Sequence, residues 1–200
     1  MSSTDENVTD EAPTDAPATL IVDCPILVKG TKKDNGEVSC EVPACVDLWF
    51  LGKGCLYQDA SNPVKLELHG TPKTCLMQIF GKPHDFATIP EVVFQVRPDR
   101  VYPDWWGGCA YNMTTWDNVF KPGGLDDRET AEGFQQALDS LSLVGGEVHV
   151  APGTYTLTRT LRVHSRTRLV GDDVNLARLR WMGCDGIAVD PGATNVELRG

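Results

Sequence analysis

The fold is decided by the segment 145–155, which reads Gly-Gly-Glu-Val-His-Val-Ala-Pro-Gly-Thr-Tyr. Val148 and Val150 flank His149, so apolar and polar residues alternate before the turn at Pro152-Gly153. Alternation with a period of two is typical of a β-strand that buries one face, and a Pro-Gly pair favours a turn. The segment therefore predicts a strand that ends at a tight turn.

A helix is predicted immediately before this strand, at about 127–141. Its apolar residues fall at i, i+3, i+7 and i+10, which form one stripe along a helix: Ala131, Phe134, Leu138 and Leu141. Asp126 or Asp127 can cap the first free amides, and Glu129 stands at capping-box spacing after Asp126. Gly145-Gly146 then ends the segment. We expect the apolar stripe to cover a β-structure.

Strand-like stretches recur after the segment 145–155, at steps of about eight to ten residues. Their centres lie near Leu161, Leu169, Leu179, Ile187 and Val196. Steps of this length are too short for a repeat that contains a helix, and they fit strands that turn corners around a solenoid. A β-sandwich gives a similar spacing, so the spacing alone leaves both architectures open.

The region 20–100 also predicts strands separated by turn sequences. The apolar stretches are 20–28, 46–51, 64–68, 75–80 and 89–96. The connection at 101–125 is rich in Trp, Gly and Pro, and Trp105, Trp106 and Trp116 can supply its burial. We expect these tryptophans to be packed inside, and stacking on sugar rings is the alternative.

Several of these motifs occur in the order that is typical of one superfamily. The helix with its Asp126-Asp127 pair, the segment 145–155 and the Leu-Val-Gly-Asp turn at 169–172 follow one another along the chain. Pro-Asp-Trp-Trp-Gly-Gly at 103–108 and Gln-Ile-Phe at 78–80 precede them. Over about 76–200 the chain thus resembles the pectate lyase-like right-handed parallel β-helix superfamily, which includes phage tailspikes and polysaccharide-degrading enzymes.

The resemblance implies a mainly β fold. Residues 126–200 would form one N-terminal capping α-helix and the first coils of the β-helix, after a β-rich module at 20–100 and the connection at 101–125. The residues that carry the motif are Trp105, Trp106, Gly107, Asp126, Asp127, Phe134, Pro152, Gly153, Tyr155 and Gly171. Two features depart from the pattern: residues 111–120 lengthen the connection, and Gly133 costs a helix about 1 kcal/mol relative to Ala.

Charge is concentrated at the N-terminus. The net charge is −10, and residues 1–19 carry five acids and no Lys or Arg: Asp5, Glu6, Asp10, Glu11 and Asp15. This composition predicts either a solvated flexible tail or a tether that orders against a partner. The acidic balance argues against nucleic-acid binding. No apolar run approaches the roughly 20 residues of a membrane span, and the start lacks the pattern of a standard secretory signal.

The seven cysteines form no C-x-x-C pair, and no His stands at zinc-finger spacing. We therefore expect neither a structural metal nor a cofactor. Most of the cysteines lie in or beside apolar stretches, so we interpret them as small buried hydrophobic residues of a chain that folds in a reducing cytoplasm. A secreted disulfide framework is the alternative.

Candidate acids for glycan cleavage are Asp172, Asp173, Asp185 and Asp190. All four lie in turns rich in Gly or Pro, where Asp is favoured because it caps its own backbone. His149 and His164 have no identifiable nucleophile or metal partner in the sequence and are interpreted as ordinary histidines. The catalytic residues, if there are any, stay unknown at this level.

The first functional hypothesis is the N-terminal, virion-attaching part of a phage tailspike or tail-fibre-like protein, folded in the cytoplasm. Its N-terminal region would bind other virion tail proteins, and its later coils would bind or depolymerise host surface polysaccharide as a homotrimer. The alternatives are a cellular or secreted polysaccharide lyase or glycoside hydrolase, which would act outside the cell, and a non-catalytic structural β-helix. Because only about two coils follow the helix, we expect the solenoid to continue beyond residue 200.

Overall fold

The structure, a computed structural model, describes residues 17–82, 85–108, 127–172 and 175–200. Within these ranges it contains one α-helix and fifteen β-strands. The helix, α1, spans Asp127–Ser140, and short 3-10 helices lie at Phe86–Thr88 and Pro103–Trp106. The fold is therefore mainly β, as the sequence predicts.

The strands are short and are numbered in chain order. They are β1 (Ala18–Val22), β2 (Pro25–Leu27), β3 (Thr31–Lys32), β4 (Val38–Val42), β5 (Val46–Phe50), β6 (Cys55–Tyr57), β7 (Lys65–Leu68), β8 (Glu91–Phe94), β9 (Gly146–Val150), β10 (Gly153–Leu157), β11 (Leu161–Val163), β12 (Thr167–Gly171), β13 (Ala177–Trp181), β14 (Ile187–Val189) and β15 (Glu197–Arg199). Of the pairings between these described strands, only β3 with β4 is antiparallel.

The N-terminal strands stack in successive coils. β1 pairs with β5, and β2 pairs with β6. β7 pairs with β4 on one side and with β8 on the other. All of these pairs are parallel. In the longest of these ladders Cys40, Leu66 and Val92 lie side by side. Because parallel neighbours at a regular sequence separation are the mark of a solenoid, the β-rich module at 20–100 has the same architecture as the region predicted to form coils.

The C-terminal strands repeat the pattern with three strands per coil. β9, β10 and β11 form one coil, and β12, β13 and β14 stack on them in parallel before β15 pairs with β12. Together the described residues build a β-solenoid of about six turns. The repeat spacing was compatible with both a β-sandwich and a solenoid, and the structure shows a solenoid.

A short backbone bridge joins the two sets of coils. The Val101 amide donates to the Glu147 carbonyl at 2.9 Å, and the His149 amide donates to the Val101 carbonyl at 2.8 Å. These bonds place the residue after the first set of coils directly beside β9, the first strand of the second set. The backbone ladder therefore continues across the long connection.

The helix lies against strands from both sets of coils. α1 contacts β8 on the N-terminal side and both β10 and β11 on the C-terminal side. Its stripe of Ala131, Phe134, Leu138 and Leu141 is fully buried, as the spacing predicts. Phe134 meets Tyr155 edge-on with ring centroids 5.1 Å apart. Burial of this apolar stripe stabilises the junction of the two sets.

Three local expectations differ from the structure. No strand forms at 75–80, where only Phe80 makes a bridge, to Leu56. β4 and β6 were not anticipated from the sequence. Among the six cysteines described, Cys24 and Cys75 are exposed, so the prediction of buried cysteines is wrong for these two, while Cys55 is buried.

Several predictions concern residues outside the described ranges. These include the acidic tail residues Asp5, Glu6, Asp10, Glu11 and Asp15, together with Cys109, Trp116, Asp126 and Asp173. For Asp127 only the helical backbone is described. In the part of the chain that is described, no helix has the length and apolarity needed to cross a bilayer.

Candidate functional site

A polar groove lies between the N-terminal coils and the end of α1. Its volume is about 830 Å³. One side carries polar residues of the coils around β4, β7 and β8, and the other side carries residues of α1 and of the turn after β11. The residues that matter for its chemistry are Glu37, Gln58, Lys65, Glu91, Gln136, Asp139, Ser142 and His164. The groove is thus built from segments distant in sequence.

Acidic groups dominate the charge of this groove. Its one lysine, Lys65, donates to Glu37 at 3.0 Å. The hydrogen bonds from Lys65 and Asn35 hold the pKa of Glu37 below its ordinary value, and the bond to Glu37 raises the pKa of Lys65. This pair is mutually neutralised and Asp139 contacts His164, so the excess of negative charge in the lining comes from Glu91.

His164 joins the helix to the coils at the edge of the groove. Its Nδ1 lies 2.6 Å from Asp190 Oδ2, in the turn after β14, and its Nε2 lies 2.7 Å from Asp139 Oδ1 on α1. Partial burial lowers the pKa of His164, but the hydrogen bonds to the two carboxylates outweigh this effect. The pKa is therefore raised, and the charged imidazolium is favoured.

Gln135 provides a second connection between the same two elements. Its Oε1 accepts from the Arg162 amide at 2.9 Å, and its Nε2 donates to the Arg162 carbonyl at 3.1 Å and to Asp139 Oδ1 at 2.8 Å. The side-chain amide thus occupies the hydrogen-bonding edge of β11 as a neighbouring strand would. The carboxylate that contacts His164 is fixed by the same glutamine.

His149 has an equivalent arrangement elsewhere on the solenoid. Its Nδ1 lies 3.1 Å from Glu147, its Nε2 contacts Asp172, and Tyr102 packs edge-on against the ring. Arg168 also contacts Glu147, at 3.2 Å. His149 does not line the groove. Among the histidines that the structure describes, two are therefore bridged by carboxylates, and one of these borders the groove.

These contacts define what the predicted acids and histidines can do. Asp172 and Asp190 each bind a histidine, while the exposed Asp185 has its backbone amide bonded to Thr160 Oγ1 at 3.3 Å. A general base needs a nitrogen lone pair directed at the substrate. Both ring nitrogens of each histidine already face protein oxygens. Among the described residues, no group of three or more His, Cys, Asp or Glu could hold a metal ion.

The residues of the superfamily motif lie at the junction of the two sets of coils. Trp105 and Trp106 are only 3% and 0% exposed, which leaves no ring face for a sugar. The amides of Ile79 and Phe80 both donate to the Trp105 carbonyl, at 3.0 and 2.9 Å. Phe80 packs on Trp106 with centroids 4.9 Å apart. The two sequence signatures thus contact each other.

The remaining motif residues support strand turns and close packing. Pro152 and Gly153 lie between β9 and β10, and the Tyr155 hydroxyl donates to the Ala151 carbonyl across this turn at 2.9 Å. A Cβ on Gly107 would lie 3.2 Å from Gln78 Oε1, and one on Gly171 would lie 3.0 Å from the Ala177 Cβ. None of the motif residues whose side chains the structure describes lines the groove.

Asp104, next to the paired tryptophans, is a buried carboxyl that was not predicted from the sequence. It is 5% exposed, and its Oδ2 has no hydrogen-bond partner among the described residues; the same holds for the indole nitrogens of Trp105 and Trp106. Burial raises the pKa of Asp104 to about 6, against a smaller lowering by its own backbone amide. The only signal in the sequence is an acid between a proline and two tryptophans.

No protein-family model, curated protein or solved structure matches the chain.

Proposed function

We propose that the chain is the N-terminal part of a phage tailspike or tail-fibre-like protein and that its groove binds host glycan. The observation that carries this proposal is a polar groove of about 830 Å³, open to solvent, on the side of a parallel β-solenoid. The volume lies within the range of ligand-binding clefts. The superfamily resemblance supplies the ligand class, because β-helices of that type commonly act on polysaccharides.

The proposal includes a finer assignment of the fold. The coils are right-handed and belong to the pectate lyase-like superfamily. α1 caps the coils that begin at β9. The contacts of α1 with β10 and β11 support this assignment, as does the meeting of Gln78-Ile79-Phe80 with Trp105. The α1–β8 contact would then attach the N-terminal coils to the cap.

The groove chemistry favours binding of sugars over cleavage. Gln136, Ser142 and Asn62 present amide and hydroxyl groups that can exchange hydrogen bonds with sugar hydroxyls. Both nitrogens of His164 face carboxylates, so this imidazole has no free lone pair with which to act as a general base. The excess of acid disfavours uronic acids by like-charge repulsion, so the ligand is a neutral or amino-bearing saccharide.

Binding of defined oligosaccharides to the purified chain tests the groove. Titration calorimetry with neutral, amino and uronic oligosaccharides should detect the first two classes only. Gln136→Ala should weaken binding roughly fivefold, as expected for one hydrogen bond. Gln95→Ala is the matched control, because Gln95 contacts Glu67 and does not line the groove. Equal weakening by both variants, or no binding at all, contradicts the proposal.

Attachment and assembly require a separate experiment on the full-length protein. Deletion of residues 1–16, which leaves β1 intact, should leave folding unchanged and abolish incorporation into particles, if this acidic segment is the tether. Size measurement should give a trimer that co-purifies with virion parts. A monomer that degrades polysaccharide would favour the lyase or hydrolase alternative instead.

A further inference from the structure

We propose that His164 is a proton-controlled fastener that holds the end of α1 against the solenoid and so sets the width of the groove. This inference rests on the proposed function, since it concerns regulation of the same groove. The fastener consists of His164, Asp139 and Asp190, which come from the turn after β11, from α1 and from the turn after β14.

Only the doubly protonated imidazole satisfies this geometry. Nδ1 lies 2.6 Å from Asp190 and Nε2 lies 2.7 Å from Asp139, so both nitrogens must donate to carboxylate oxygens. A carboxylate accepts and never donates when ionised. The neutral ring has one N–H, and its other nitrogen would direct a lone pair at a negatively charged oxygen. Loss of the proton thus turns one attractive contact into a repulsive one.

The contact with Asp139 is the one that opens. The side chain of Asp139 is 47% exposed and can be hydrated, whereas that of Asp190 is 29% exposed and lies 3.9 Å from the Arg162 guanidinium. The neutral ring therefore keeps its proton on Nδ1 for Asp190. Gln135 still bonds α1 to β11, so separation at Asp139 loosens the helix only beyond this point, where Asp139 and Ser142 line the groove.

The other charged groups near the fastener do not replace the proton. Across the groove, β8 contributes Glu91 and β7 contributes Lys65, whose charge is neutralised by Glu37. On β11, Arg162 lies on the far side of Asp190 from His164 and is exposed. The raised pKa of His164 agrees with a fastener that is closed when protonated.

The sign of the pH effect follows from the raised pKa. The stabilisation is full below the ordinary histidine pKa of about 6.5 and is lost as pH rises through the higher value in the folded chain. The groove is therefore narrow and ordered below the ordinary histidine pKa and loosens as the pH rises through the raised pKa of His164.

Amide hydrogen exchange of the whole chain tests the fastener without any ligand. Between about pH 6 and pH 9, after correction for intrinsic rates, peptides covering the second half of α1 should exchange faster as the pH rises. Peptides of β4 and β7 should not change. A corrected rate that stays flat in the unmodified chain overturns the proposal.

Three variants make the result specific. His164→Gln and Asp139→Asn should each remove the pH dependence at α1, and the second retains the histidine in case the first is poorly folded. His149→Gln is the matched control, because His149 bridges two carboxylates away from the groove. It should keep the change at α1. Loss of that change in His149→Gln, or its persistence in both other variants, overturns the proposal.

A binding titration separates this inference from the proposed function. If the fastener and the glycan site are both correct, oligosaccharide affinity changes over the pH range in which α1 exchange changes. If the chain binds no oligosaccharide while α1 still responds to pH, the proposed function fails and the fastener stands. If it binds oligosaccharide with no exchange response in α1, the fastener fails and the glycan site stands.

Discussion

Asp104 shows how one buried carboxyl can oppose folding at neutral pH. Burial raises its pKa from 3.8 to about 6, so the folded chain binds this proton more tightly than the unfolded chain. Stability is therefore highest below about pH 4 with respect to this group and falls as pH rises to about 6. Above that pH the folded protein holds a buried carboxylate whose Oδ2 has no hydrogen-bond partner in the part of the chain that the structure describes.

Asp104→Asn should remove this pH dependence. At pH 7.5 the variant should be more stable by up to about 3 kcal/mol, since each pKa unit is worth about 1.4 kcal/mol. Urea unfolding at pH 4 and pH 7.5 measures the difference. Asp34→Asn is the control, because Asp34 is exposed. An unchanged slope of stability against pH in Asp104→Asn would contradict the argument.

Gly133 illustrates a residue whose cost in one element is offset by contact with another. A Cβ at this position would lie 2.4 Å from the Gly108 nitrogen and 2.7 Å from its Cα. Both are backbone atoms of the segment after the paired tryptophans, so they cannot move aside as a flexible side chain would. The glycine that departs from the superfamily pattern therefore permits the close approach of α1 to this segment.

Gly133→Ala should consequently destabilise the chain, although Ala is the better helix former. We expect a net loss of about 2 kcal/mol, because overpacking exceeds the gain in propensity of about 1 kcal/mol. Gly70→Ala provides the control, since a Cβ there has open space around it. Thermal unfolding of both variants gives the comparison. A Gly133→Ala variant as stable as the parent would show that the backbone at Gly108 can move enough to accommodate the added Cβ.

At the scale of elements, patterns within one segment were predictable and contacts between segments were not. The apolar stripe predicts a helix at 127–141, and the observed helix, Asp127–Ser140, agrees to within one residue. The stretch 75–80 is apolar enough to predict a strand. However, the Trp105 carbonyl accepts hydrogen bonds from the amides of Ile79 and Phe80, so no strand ladder forms there. The partner that decides this outcome lies more than twenty residues away in sequence.

The groove could not be predicted from the sequence for the same reason. His164 is recognisable in the sequence, but its partners Asp139 and Asp190 are each about 25 residues away. No short motif joins them, and only the stacking of coils against α1 brings them together. The described acids Asp172, Asp185 and Asp190 lie between strands, yet this position alone did not reveal that two of them bind histidines.

The attachment of α1 to the solenoid depends on Gln135. Gln135→Ala removes the bonds to the Arg162 amide and carbonyl and leaves these strand-edge groups without partners. We expect a loss of about 2–3 kcal/mol for the unsatisfied groups and the missing bonds. Gln136→Ala is the matched control on the same helix, because Gln136 contacts only Glu132 among described side chains. Denaturant unfolding should show a larger loss of stability in Gln135→Ala than in Gln136→Ala. Equal losses would contradict the role of Gln135 in attaching α1.

At the scale of the whole molecule, the buried aromatic cluster determines whether the two sets of coils unfold together. A solenoid is stabilised by contacts between neighbouring turns, so its cooperativity depends on each interface. The cluster at this interface contains Phe50, Phe80, Trp105 and Trp106, with Phe80 in ring contact with both Phe50 and Trp106. The cluster thus links β5 of the N-terminal coils to the segment that packs on α1.

Trp106→Ala should weaken this interface and reduce cooperativity. Truncation of a fully buried tryptophan costs about 3–5 kcal/mol, and urea unfolding followed by circular dichroism should change from one transition to two. The first transition then reports the less stable set of coils. Trp49→Ala is the control, because Trp49 is 42% exposed on the outer face and contacts Lys73 there. It should cost less than 1 kcal/mol, by the rule for surface positions, and keep one transition. A single transition in Trp106→Ala at the parent's midpoint would mean that the backbone ladder at Val101 and α1 couple the two sets without the aromatic cluster.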